Sequence, residues 1–256
     1  MRAHLRVFVG IVALGLAVLQ SPLSANHSWG GYHWARTANP FNVDLGDNVS
    51  SLWDPYLGFA SSDWSKSTVL DTTIVAGGSR SKNCRPTAGR VEVCNGAYGN
   101  NGWLGIAQIW ISGSHITQGA VKMNDTYFNT SAYNSPAWRQ FVVCQEVGHT
   151  FGLDHQDENF DNTNLGTCMD YTSDPDGGGG NPNNLHPNTH DYNELSAIYA
   201  HLDNTTTVGQ TAQLPAAAAA AAAENFGRVV RSHGRLAVFE LDLGNRHKVI
   251  TFVIWA

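Results

Sequence analysis

The sequence predicts an α+β domain. Three observations point to it. Short β-favouring runs recur between residues 32 and 123, and two later segments, starting at Ser135 and near His190, switch to helical spacing. Once an N-terminal leader is set aside, about 230 residues remain, enough for one domain with a substantial core.

Residues 1–25 read as a secretory signal, with Arg2 and Arg6 at its start, an apolar stretch over 7–19, and Ser24-Ala25 as small residues for cleavage. That stretch is short for a bilayer, which takes about 20 apolar residues, so a secreted product with no stable membrane span is expected. Residues 32–43 read as a first strand. Residues 49–66 form a helix carrying Trp53, Tyr56, Leu57, Phe59, Ala60 and Trp64 despite Pro55 and Gly58. Residues 69–76, 90–94, 106–111 and 115–123 follow as strands. Ser135 and Pro136 suit the cap and first turn of a helix continuing through Trp138, Phe141, Val142 and Val143. Residues 190–202 make a closing helix on Tyr192, Leu195, Ile198, Tyr199 and Leu202, with Asp191 and Glu194 near its start. Residues 204–224 are Thr-rich and then Ala-rich, and read as a linker. Residues 225–256 hold three strand-like runs, too small a unit to stand alone, which therefore packs on the main domain or on a partner. The formal net charge of −6 comes without a basic stripe and argues against a nucleic-acid partner.

The chemistry concentrates in residues 141–171, FVVCQEVGHTFGLDHQDENFDNTNLGTCMDY. Residues four apart on a helix share a face, so Gln145 and His149 can share one cation, with Glu146 beside them. A carboxylate there can take a proton from a water polarised by that cation. Gly152 falls where the helix must end, because glycine enters the left-handed conformation without steric cost, and the reversal can bring His155 to the same ion.

The pattern x-E-x-x-H-x-x-G-x-x-H formed by Glu146, His149, Gly152 and His155, with Met169 following, resembles the metzincin clan of zinc endopeptidases, whose signature is H-E-x-x-H-x-x-G-x-x-H plus a methionine turn. The resemblance spans about thirty residues and departs at Gln145, where the clan has its first histidine. It implies a metzincin-like (zincin) domain over residues 26–203, with a twisted mixed sheet, an active-site helix and a C-terminal helix. It further implies Zn2+ as cofactor, a peptide or protein as substrate, His149 and His155 as metal ligands, Glu146 as general base and Met169 as the floor of the site. Zinc prefers imidazole and thiolate, whereas a carboxamide oxygen suits harder ions, so Gln145 lowers the expected affinity. The third donor is then the Gln145 oxygen, Tyr171, or a carboxylate such as Asp154 or Asp157; Gln145 and Tyr171 are favoured. Met169-Asp170-Tyr171 looks like the Met-x-Tyr turn of the astacin and serralysin branches, which gives Tyr171 a further part in stabilising the oxyanion. The rival expectation is a weak or inactive homologue that holds an extended peptide without cutting it.

The strand order resembles the upper subdomain of matrixin-like members, in which substrate lies antiparallel along an edge strand; residues 105–109 are the candidate edge. A matrixin-type structural metal site needs several His and Asp residues in one loop, and with only Asp125 nearby, His115 reads as structural or solvated. Four cysteines in an exported chain suggest two disulfides, with three connectivities open. Cys84 and Cys94 flank a local closure, and the resemblance implies that Cys144 and Cys168 meet beneath the metal. The polar segments at 156–164 and 173–184 stand where the clan has specificity loops, and their Asp and Asn oxygens can hold Ca2+.

Overall fold

The computed structural model describes residues 27–211 and 225–256; the leader at 1–25 and the alanine run at 216–223 lie outside the described residues. The architecture is mixed α and β, built on one large sheet. Its strands are β1 (His33–Trp34), β2 (Phe41–Asn48), β3 (Leu70–Ala76), β4 (Val91–Gly96), β5 (Trp103–Ser112), β6 (His115–Asn124), β7 (Arg228–His233), β8 (Leu236–Gly244) and β9 (His247–Trp255). The helices are α1 (Asp54–Trp64), α2 (Asp125–Phe128), α3 (Pro136–His149) and α4 (Thr189–Ile198). Strand order is β3-β2-β4-β6-β5-β9-β8-β7, with β1 beside the start of β6. Neighbours from β3 to β6 run parallel, whereas the pairings from β6 through β5, β9 and β8 to β7 are antiparallel.

The run expected at 32–43 divides, because Pro40 has no N–H for a ladder; β2 begins at Phe41 and buries Phe41, Val43 and Leu45. β5 and β6 are buried at nearly every position, as befits central strands covered on both faces. Helices α1 and α3 pack together on the sheet, where the Trp64 indole donates to the Cys144 carbonyl at 3.0 Å. The α3 start has the expected cap: the Ser135 side chain accepts from Trp138 N, and Pro136 fills the first turn. In α4 a capping box joins Asn188 to Asp191, and the helix ends at Ile198, short of the expected residue 202, with the following Tyr199 hydroxyl donating to the Phe151 carbonyl. The short α2 has no counterpart among the sequence expectations; Asn124 caps it by accepting from Thr126 N.

Both disulfides are formed, Cys84 to Cys94 and Cys144 to Cys168. Among the described residues no helix is long and apolar enough to cross a membrane. Residues 204–211, expected as linker, follow the main body: Thr207 N donates to the Ala35 carbonyl and Gly209 N to the Gly89 carbonyl, each at 2.9 Å.

One expectation is overturned. Residues 105–109 are not a free edge, because β5 pairs with β6 on one side and with β9 on the other, where Gly105, Ala107 and Ile109 face Ile254, Phe252 and Ile250. The C-terminal strands thus extend the main sheet along the side of β5 that the resemblance assigns to substrate.

The Cys144–Cys168 bridge closes a loop with a sequence separation of 24. Loop-closure entropy for such a length predicts that Cys144→Ala/Cys168→Ala lowers stability by about 3 kcal/mol, read as a fall in the unfolding free energy extrapolated from urea denaturation, with the m-value rising as the unfolded chain expands.

Candidate functional site

Helix α3 delivers Gln145, Glu146 and His149 from one fully buried turn. Gly152, at φ +91, then reverses the chain so closely against Tyr32 that a Cβ would lie 2.1 Å from its carbonyl oxygen. The reversal sets His155 against His149, with their Nε2 atoms 3.1 Å apart. His149 Nδ1 donates to the Leu153 carbonyl at 2.9 Å, which leaves Nε2 as the lone-pair nitrogen facing its partner. Burial holds the His149 imidazole well below its ordinary pKa, so it stays neutral and able to ligate.

Gln145 donates its amide nitrogen to the Cys168 carbonyl at 2.9 Å, while its Oε1 is buried without a partner. Glu146 is fully buried, both carboxylate oxygens lack partners, and burial raises its pKa well above the usual carboxylate range. It lies against β5 at Gly105, where a Cβ would come within 2.7 Å of Glu146 Oε1. Met169 packs under the same helix: its sulfur is 2.7 Å from where a Cβ on Gly148 would sit. The methionine loop is held from α4, since Thr167 Oγ1 accepts from Met169 N at 3.0 Å and donates to Asp191.

The other donors are engaged elsewhere. The Tyr171 ring stands 5.1 Å from the His155 ring, but its hydroxyl donates to the Arg235 carbonyl. Asp154 accepts from His155 N and from Arg231, and Asp157 accepts from Asn159 N and Asn162. Asp154, His155 and Glu158 lie close enough to hold an ion. The Arg231 guanidinium, however, bridges Asp154 and Glu158 and already supplies the positive charge. Of the proposed third donors, the Gln145 oxygen is therefore the buried one left unpaired.

The C-terminal strands cover the constellation. Phe252 of β9 stacks on His149 with ring centroids 4.1 Å apart and planes within 3°. Arg231 of β7 reaches Asp154, and Arg235 reaches Tyr171 through its carbonyl and Tyr133 through its side chain, at 3.0 Å. Nothing in the sequence marked Arg231, Arg235 or Phe252, because their role comes from a strand pairing between residues far apart in the chain.

Beneath the methionine loop, His27 Nε2 lies 3.6 Å from Asp191 Oδ1. Burial pulls the His27 pKa down to about 4, and burial pushes Asp191 up to about 6. A depressed histidine loses stability as pH falls from its unfolded value of about 6.5, because the unfolded chain binds the extra proton. A raised carboxyl does the reverse and loses stability as pH climbs from about 4 to 6, so the two offset each other. Asp191→Asn should therefore steepen the acid loss between about pH 6.5 and 4, towards ~1.4 kcal/mol per pH unit, in denaturation series of metal-free protein. Set against models of known protein families and against curated protein sequences, the chain matches none.

Proposed function

We propose that this chain is an exported, metal-dependent endopeptidase of the metzincin type, with Glu146 as general base and His149, His155 and Gln145 Oε1 as the ligands of a zinc ion. The observation that carries the proposal is two buried imidazole Nε2 atoms 3.1 Å apart, one turn of α3 from a fully buried carboxylate with no partner. Zinc–nitrogen bonds of about 2.0 Å in a tetrahedron place donor atoms ~3.3 Å apart, so the two imidazoles need no rearrangement. The unpaired Gln145 oxygen on the same helical face supplies a third donor. The disulfides and the N-terminal leader support export.

A zinc ion there supplies Lewis-acid polarisation of a peptide carbonyl and lowers the pKa of a water to near neutral. The chain's own groups do the proton work. Glu146, with a carboxyl raised by burial, is suited to take a proton from water and return it to the leaving amine. His149 is oriented by the Leu153 carbonyl, and Met169 with the Cys144–Cys168 bridge fixes the floor. Substrate pairing with β5 requires displacement of β9, so the described form is closed.

A second reading is favoured by Gln145 and by the filled cleft: a homologue that binds an extended strand without cleaving it. Metal analysis and a peptide-library assay of the purified full chain separate the two. The peptidase reading expects zinc in the parent, cleavage, and a loss of at least ~100-fold in kcat for Glu146→Gln with zinc retained. A parent that cleaves nothing and gains both zinc and turnover in Gln145→His would establish the second reading instead. Under the first reading, Arg231→Ala/Phe252→Ala raises kcat/KM by loosening the strands that cover the site, whereas an unchanged or lower value speaks against a closed state that opens.

A further inference from the structure

We infer that the chain carries a second cation site, remote in sequence from the α3 motif, formed by His33, His115, His201 and Asp203, and that the ion it takes is zinc. His33 and His115 are register partners on β1 and β6, while His201 and Asp203 follow α4. The ligand atoms of His33, His115 and Asp203 lie within 4.8 Å of one another, and His201 adjoins two of them. Asp203 Oδ1 lies 3.5 Å from His33 Nε2, 3.2 Å from His115 Nε2 and 3.7 Å from His201 Nε2, and the His33 and His201 Nε2 atoms are 3.1 Å apart. These separations bracket the ~3.3 Å expected between donors of a tetrahedral zinc ion with bonds of about 2.0 Å.

The supporting contacts aim the donors inwards. His33 Nδ1 donates to the Gly31 carbonyl at 2.8 Å, so the nitrogen facing the cluster is the one free to ligate. Asp203 spends Oδ2 on Arg36, accepting from Nη1 at 2.8 Å and from the backbone N at 3.2 Å, which turns Oδ1 towards the three rings. His33 is nearly buried, with side-chain exposure of 6%, whereas His201 at 54% leaves an entry path from solvent. Three imidazoles and one carboxylate are the donor types zinc prefers over calcium or magnesium, and four protein ligands make a closed, structural site. Such an ion would staple β1, the start of β6 and the chain leaving α4.

The inference does not depend on the proposed peptidase activity, and its test removes the α3 motif. In a His149→Ala/His155→Ala background, the full chain should retain one equivalent of zinc after dialysis against a competing chelator, and zinc should raise its Tm. Cobalt as a probe should give the visible bands of tetrahedral coordination. His33→Ala and Asp203→Ala, each added to that background, should weaken zinc binding by more than the ~10–100-fold that follows loss of an outer-shell partner. Should either fail to fold, the half-exposed His201→Gln gives the same readout with little packing lost, as a smaller affinity fall and altered cobalt bands. Absence of retained zinc in the background protein, or zinc binding indifferent to all three substitutions, overturns the site.

Discussion

The pairing of β9 with β5 is the constraint on which the rest of the molecule turns. Without it, β5 would be the edge of the sheet, offering a row of unpaired N–H and C=O groups of the kind that captures any passing strand. With it, the edge moves outward to β7, where Arg228, Val229, Ser232 and His233 are exposed. The same pairing sets Phe252 opposite Ala107 and brings its ring onto His149. One set of backbone hydrogen bonds therefore moves the sheet edge outward and lays β9 over the α3 constellation.

Desolvation decides the electrostatics that follow. A carboxylate such as Glu146 is stabilised in water and destabilised when buried against β5 at Gly105, so its proton is held more tightly than usual. An imidazole beside another imidazole responds the opposite way, and His149 is kept neutral. Several buried polar atoms without partners fall in this one place: Gln145 Oε1, both Glu146 oxygens and His155 Nδ1. A site needed only for packing would have apolar side chains there, because each unpaired buried polar atom costs about 1–3 kcal/mol.

Much of this was legible in the sequence for physical reasons. The helix periodicity and its Ser135 cap located α3, and the glycine at 152 announced the reversal, because a local turn is encoded by neighbouring residues. The candidate donors Gln145, His149 and His155 lie within eleven positions, so spacing alone nominates them, and the two imidazoles do meet. The first strand was misplaced because an alternating pattern ran across Pro40, which a ladder does not accept. The free edge at residues 105–109 was misjudged for a different reason: β5 meets β9 across well over a hundred residues of chain, and strand pairing at that distance leaves no local mark. His115 illustrates the same limit. Its neighbours in sequence offered only Asp125, which is occupied with Trp53 and Asn95, whereas its neighbours in space are His33 and Asp203.

The two imidazole clusters also occupy related places in the chain's path. Asp203 is the last of the four inferred ligands, and immediately after it Thr207 and Gly209 bind along Ala35 and Gly89. The chain then passes on to the segment that returns as β7, β8 and β9 over the α3 site. The cluster at His33, His115, His201 and Asp203 thus ties the chain leaving α4 to β1 and β6, while the pairing of β9 with β5 ties the C-terminal strands to the same sheet. A cation bound by those four residues would act on the α3 constellation through the sheet that β1, β6, β5 and β9 share, without touching any of its ligands.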